Sequence, residues 1–279
     1  MSITAKSLTE YIDHIKAIYG ETESHLQVSD LKTLFFRGQQ KKSFKLQPNA
    51  FRDDTSKDAE RVHLLNYRDQ LSRHNRPYDF IKQRTEILSD MQHYGLKTRL
   101  MDWTFSPLIA LHFALSGDSE TEDSVVHIFN PWLYREKYFS NFAKEYPHKH
   151  DMHILGRALL PDHSHHSIAN ILKKEFYEEE LKPSELELPF PFIAEFNNQR
   201  IIHQLGCFTI HGTNTAPLDC QAGMSEHPHL IQQIIISEDS RDEIRADLKM
   251  LFINDYSIFP DMEGMATHLK QSTSLYSIR

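Results

Sequence analysis

Cysteine is nearly missing from this sequence. Cys207 and Cys220 are the only two, too far apart for a CxxC pair, so neither a zinc knuckle nor a disulfide framework is expected, and reduced thiols are. Basic charge is in deficit as well: 31 Lys and Arg stand against 39 Asp and Glu, a formal net charge of −8 that excludes generic affinity for a polyanion and leaves room only for a local basic patch. No window approaches the roughly 20 apolar residues of a membrane span. The N-terminal stretch MSITAKSLTEYIDHIK lacks the charged-then-apolar order of a signal peptide, so a soluble, cytoplasmic protein with no membrane partner is expected. Glycine is scarce, at nine residues, and neither GxxxxGK[ST] nor GxGxxG occurs, which argues against P-loop and Rossmann nucleotide sites. Histidine is plentiful, at 18 residues, yet the cluster His163, His165 and His166 lies in a loop without the spacing of HExxH, and no metal site is expected.

What remains is ordinary globular material, 39% hydrophobic and 25% charged. Ser7 and Glu10 have capping-box spacing ahead of an amphipathic helix that ends at Gly20. TLFFRGQ reads as a buried strand that breaks directly after Arg37. Helices follow over Asp58 to Arg73 and Tyr78 to Tyr94, the second capped by Gly95. Next come an irregular loop LKTRLMDWTF and a helix to Gly117 with Ser106 as N-cap and Pro107 at its first position. SVVHIFN is a strand, RIIHQLGCFTIHG gives two short β runs, and HLIQQIIIS gives another. From Trp132 to about Pro191 the chain is charged and partly helical, with EFYEEEL a solvated face. Ser240 and Glu243 form a second capping box for a helix to about Asn254, and a last helix covers Asp261 to Lys270. With no linker or repeat, the expected fold is α+β: a single mixed domain, short strands in a central or split sheet flanked by several helices.

Chemistry concentrates in MQHYGLKTRLMDWTFSPLIALHFAL, Met91 to Leu115. Gln92, His93 and Tyr94 close one helix, while Arg99, Asp102, Trp103 and Thr104 stand just before the next, whose N-terminal amides favour an anion. Arg37 either pairs with a carboxylate or grips phosphate or carboxylate bidentately, and the neighbouring Gly38 permits a ligand's or another chain's backbone to approach. Arg99 and Asp102 are either an internal ion pair or part of the anion site. Trp103 is either core or stacking platform, and His93 either a structural group or an acid-base catalyst. Ser106, His93 and Asp102 do not make a hydrolase triad, because no GxSxG elbow surrounds Ser106 and its N-cap role accounts for it.

LFFRGQ, QHYGLKTRLMDWTFSPLIALHFA, RIIHQLGCFTIHG and SIFPDMEGMATHL, in that order, resemble the FRG domain family, named for the triplet that is Phe36, Arg37, Gly38 here. The resemblance spans roughly residues 28 to 270 and implies an N-terminal helix, 1–27, packed on an FRG domain, 28–279. FFRG and TRLMDWTFSPLIALHFA also look like the first two elements of ADP-ribosyltransferases, an aromatic-Arg-Gly strand whose Arg grips the NAD phosphates and a Ser-Thr-Ser strand, here Asp102-Trp103-Thr104, leading into a helix.

That second resemblance implies NAD as substrate, held by Arg37, Gly38, Gln39, Gln92, Arg99 and Thr104, with Tyr94 or Trp103 stacked on nicotinamide. Gln204 falls where that family has its catalytic Glu, so Asp102 or Glu195 is the alternative carboxylate; His93, from its residue type and not from this resemblance, is a further catalytic candidate. Three functions follow. The first is an ADP-ribosyltransferase or NAD glycohydrolase, acting as a toxin or antiphage effector with an antitoxin or regulatory partner. The second is a non-catalytic module binding a nucleotide, nucleic-acid end or protein in the same pocket. The third is a phosphoester hydrolase using His93 and Asp102.

Overall fold

The computed structural model describes residues 2–25, 34–52, 56–71, 73, 84–117, 122–139, 187–193, 199–221, 223–224, 226–262, 264–266 and 269. Its centre is a seven-stranded mixed sheet in the order β1-β7-β4-β2-β3-β6-β5. The strands are β1 (Ser2–Ala5), β2 (Phe35–Gln39), β3 (Leu100–Thr104), β4 (Ser124–Phe129), β5 (Phe190–Phe192), β6 (Gly206–Ile210) and β7 (Ile231–Ile236). Only β1 and β7 run parallel. The helices are α1 (Leu8–His25), α2 (Ser56–Leu71), α3 (Arg84–His93), α4 (Pro107–Leu115), α5 (Pro131–Tyr138), α6 (Gln199–His203), α7 (Arg241–Met250) and α8 (Asp255–Ile258). This is the single α+β domain expected of the sequence.

Both faces of the sheet are covered, and the adjacent pair Phe35 and Phe36 supplies one side chain to each because successive strand residues point to opposite faces. On one face Phe35, Met101, Trp103, Phe129 and Cys207 pack with Ile87, Leu88 and Met91 of α3 and Tyr134 of α5. On the other Phe36, Val126, Ile128, Ile234 and Ile236 pack against Tyr11, Ile15 and Ile18 of α1, Ala110, Leu111 and Ala114 of α4, and Ile244 and Leu248 of α7. The first 25 residues therefore belong to the same sheet and core, β1 as an edge strand and α1 as a covering helix.

Several elements depart from the sequence reading. The LKTRLMDWTF segment is not irregular: Leu100–Thr104 is a strand, with every residue but Asp102 buried, so the alternation that marks a half-exposed strand is absent. RIIH belongs to a helix that ends at His203, not to a β run. Ile201 is buried and Ile202 exposed, and Leu205 turns the chain at φ 48 into β6. β2 does not break after Arg37 but continues through Gly38 and Gln39, opposite His127, Val126 and Val125 of β4. Helix α1 passes Gly20 and ends at His25. Helix α7 stops at Met250 and Ser240 makes no side-chain cap, because a 3₁₀ turn over Glu238–Ser240 leads into the helix. By contrast Ser7 accepts from Glu10 N at 3.2 Å and Ser106 from Ile109 N at 3.3 Å, as expected of N-caps. The histidine cluster at 163–166 and the EFYEEEL segment lie outside the described residues.

Gly38 is where the sheet and α4 meet most closely. A Cβ there would stand 1.9 Å from the Ala110 carbonyl oxygen and 2.5 Å from the Ala114 nitrogen, backbone atoms that cannot move aside alone. Gly38→Ala is expected to lower unfolding free energy by about 3 kcal/mol or more, read as a reduced urea midpoint at unchanged slope.

Buried imidazoles set an acid limit. His127 on β4, bonded to Gln39 Oε1 at 2.8 Å, and His211, near Thr209 Oγ1 at 3.1 Å, are held at pKa values of about 3, chiefly by burial and further by nearby arginines. Both stay neutral in the fold, whereas the unfolded chain binds protons below about 6.5. Their contribution is thus complete above that value and lost as pH falls toward 3, at about 1.4 kcal/mol per pH unit for each histidine. His127→Gln should flatten the slope of stability against pH between 6 and 4 by that one-proton amount, measured by denaturation at stepped pH.

Candidate anion-binding cleft

β2 and β3 share a single ladder position, Phe36 opposite Thr104, and the space where they part is a cleft of about 470 Å³. One bank is Arg37, Gly38, Gln39 and Gln40 of the central strand. The other is Asp102, Trp103 and Thr104, with Gln92 and His93 from the end of α3 and Gln204 beyond α6.

Arg37 bridges the banks. Its Nη1 donates to the main-chain carbonyl of Asp102 at 2.5 Å, while its Nε, shut off from solvent, has no hydrogen-bond partner among the described residues. Burial pulls its pKa down, with the Asp102 charge working in the opposite sense and the Arg52 charge in the same sense. Asp102 reaches the solvent of the cleft yet is ringed by protein. That desolvation raises its pKa against the pull of Arg37 and of a hydrogen bond from Gln92 Nε2 to Oδ1 at 2.5 Å. Arg37 therefore makes its hydrogen bond to the Asp102 peptide and not to its carboxylate, which leaves donor capacity for an anion.

Arg99 resolves the other way. Its backbone N, Nε and Nη2 all meet the carboxylate of Glu60, at 2.7, 2.9 and 2.9 Å, and Glu60 is wholly buried. Arg99 does not line the cleft, so both of its sequence readings, an ion pair with Asp102 and an anion ligand in this pocket, are corrected. Strand alternation, invisible while the segment looked like a loop, is the reason: residues 99 and 102 point to opposite faces.

Of the other expected residues, Trp103 is core. It is 3% exposed, tilted on Phe129 at 5.5 Å, and donates from Nε1 to Thr209 at 3.0 Å. Thr104 holds the loop before β6 by donating to the Gln204 carbonyl at 2.6 Å. Gln39 turns away to His127 and to the Lys45 carbonyl, at 3.2 Å. Tyr94 is 60% exposed, edge-on to the His93 ring at 4.9 Å and outside the cleft lining, so it is not placed as a stacking ring there. Glu195 lies outside the described residues. Gly38 admits the backbone of α4, this chain's own helix, rather than a ligand.

Sequence reasoning missed Arg52 and Arg200, which add positive charge to the cleft, and Phe44, Phe113 and Phe259, which add rings. Arg200 pairs with Asp261 and stacks over Phe259 at 5.3 Å. Phe259 stood within the SIFPDM motif and Phe113 within ALHFAL, so those two carried a signal. Arg200 likewise opened the RIIHQLGCFTIHG motif, whereas Arg52 and Glu60 had no signal, since only tertiary folding brings them in. Among the described residues Asp102 is the one acidic side chain in the lining, against three arginines and a histidine.

If Arg99 is structural, Glu60→Ala strands a half-buried guanidinium and should cost about 3 kcal/mol of stability. Arg37→Ala should cost clearly less. Thermal or urea unfolding of the two variants side by side checks the contrast.

Among described residues no helix is long and apolar enough to cross a membrane. No curated protein and no solved structure matches the chain. The family model of the FRG domain matches residues 32–123, a narrower range than the motifs had implied, but one that contains β2, α2, α3, β3 and α4, and with them the lining residues from Phe36 to Phe113, though not Arg200, Gln204 or Phe259. The chain carries an FRG domain in that segment.

Proposed function

We propose that the cleft binds NAD and that this is an ADP-ribosyltransferase-like enzyme that breaks its glycosidic bond, as a transferase or a glycohydrolase. The observation that carries the reading is Arg37, an arginine in a concave site whose one described hydrogen bond goes to a peptide carbonyl, facing a carboxylate across a cleft rich in rings. Arg37, with Arg52 and Arg200, offers positive charge to a pyrophosphate, and Phe44, Phe113 and Phe259 offer surfaces for rings, the role that Tyr94 and Trp103 do not fill. The volume suits a ligand of this class.

In the step itself the bond between ribose C1′ and the nicotinamide nitrogen breaks, its electron pair leaving with neutral nicotinamide. An acceptor oxygen or nitrogen then bonds to C1′ and gives up a proton. Positive charge develops on the ribose, and an ionised Asp102 stabilises it while the Gln204 amide contacts a ribose hydroxyl. On this reading the protein acts as a toxin or antiphage effector, held in check by an antitoxin or regulatory protein. A second reading, a non-catalytic module for a nucleotide, nucleic-acid end or protein, is favoured by Gln204, an amide where that enzyme class has Glu.

Titration calorimetry with NAD, run alongside nicotinamide release, tests both. Arg37→Ala should weaken binding by about tenfold or more, whereas Asp102→Asn should leave binding within a few-fold and slow release by about 100-fold. Binding without release, in wild type as in variants, would establish the module instead. Absence of both would overturn the NAD assignment.

A further inference from the structure

We propose that Gln92 and Thr98 are positioning residues for Asp102, forming a one-way hydrogen-bond relay that dictates which carboxylate oxygen faces the ligand. The catalytic consequence rests on the reading of Asp102 given above. The relay itself does not.

The relay starts at the backbone of β3. Leu100 N–H donates to Thr98 Oγ1 at 3.3 Å, which fills a lone pair of that wholly buried hydroxyl. The Thr98 proton then goes to Gln92 Oε1, and Gln92 Nε2 donates to Asp102 Oδ1 at 2.5 Å. The polarity is set from the carboxylate end, since an ionised Asp102 can only accept. A flipped Gln92 amide would set its oxygen against that carboxylate and lose the hydrogen bond, so the amide oxygen is the atom left to take the Thr98 proton.

Thr98 is itself anchored, because its carbonyl accepts from Ala50 N at 3.2 Å. Gln92 sits on the last turn of α3, whose packing through Ile87, Leu88 and Met91 holds the side chain at the cleft. Oδ1 is thus taken from behind, while Oδ2 accepts no hydrogen bond from another residue among those described and is the oxygen left for a ligand.

Gln92 was expected to bind ligand directly. Its carbonyl is occupied by Thr98 and its amide by Asp102, so it acts through Asp102. An ionised carboxylate is favoured by a donor aimed at it, so removing the donor makes Asp102 harder to ionise. Among the described residues, Arg37 on β2 acts on the Asp102 charge and Cys207 on β6 feels it, a thiol pushed up by burial and further by Asp102, while His93 on α3 and Arg52 and Arg200 on the walls are the other charged or titratable groups of the cleft. None of these is touched by the substitutions below.

Carboxyl ¹³C NMR titration of the free full-length protein reads the Asp102 pKa without any activity. Gln92→Met should raise it by about one unit and Thr98→Val by about half a unit, with Thr98→Ser restoring the wild-type value. In parallel, the acid limb of nicotinamide release should move to higher pH in the same two variants, since Asp102 acts ionised. An Asp102 titration unchanged in folded Thr98→Val and Gln92→Met overturns the relay, even if nicotinamide is released. The NMR shift in a protein that releases no nicotinamide keeps the relay and sinks the enzymatic reading.

Discussion

The contact between Gly38 and the backbone of α4 is the constraint on which the rest of the cleft depends. Because position 38 has no side chain, the helix lies directly on the central strand, with the Ala110 carbonyl and Ala114 amide where a Cβ would be. That approach is built from small residues on both sides, Gly38 below and Ala110 and Ala114 above. Helix α4 starts two residues after β3 ends, capped by Ser106 and opened by Pro107. With the helix seated on β2 and tied to β3 by so short a connection, the end of β3 is fixed relative to β2. The two strands share one ladder position, and the parted ends are the cleft.

Two arginines on this frame show how burial and partner decide a role that residue type leaves open. Arg99 meets a buried carboxylate with three nitrogens, a geometry that satisfies charge and hydrogen bonding together and fastens β3 to α2. Arg37 spends one donor on a peptide carbonyl and keeps an unmatched Nε under the surface, with its charge next to those of Arg52 and Asp102. Breaking the first pair is a matter of stability, whereas altering the second changes the field inside a cleft. The same segment of sequence thus supplies a clamp to α2 through Arg99 and a wall of the cleft through Asp102.

Strand alternation also explains what could be read from sequence and what could not. The α+β class, the Ser7 and Ser106 caps, β4 and the crowding of polar groups around Asp102 were legible because each is a local pattern. The strand character of Leu100–Thr104 was hidden by its burial on both faces, and with it the fact that Arg99 and Asp102 diverge. Ile201 and Ile202 looked like a strand because two β-branched residues adjoin, yet only one of them finds the core. Nine of the expected site residues do line the cleft: Arg37, Gly38, Gln39, Gln92, His93, Asp102, Trp103, Thr104 and Gln204. Lining is weaker than function, since Trp103, Thr104 and Gln39 face it while their polar groups serve the scaffold. The far wall of Arg200 and Phe259 comes from the C-terminal third; both residues lay in recognisable motifs, but sequence separation concealed that they meet at this cleft.

Gln204 is best understood together with Asp102. A carboxylate at 204 would stand in a wall that already includes Asp102, and two carboxylates in one desolvated cleft oppose each other's ionisation. With an amide at 204 the single negative charge is concentrated on Asp102, where Arg37 lowers the cost of ionising it and Gln92 takes one of its oxygens. The cleft then holds one carboxylate whose orientation is set from behind, facing an arginine whose own orientation is set by the peptide of that same residue. Charge and countercharge meet at the 102 position, whose carbonyl holds Arg37 and whose carboxylate is held by Gln92. Any ligand that enters meets both in a fixed relation, which is the property that separates a built site from a chance gathering of polar groups.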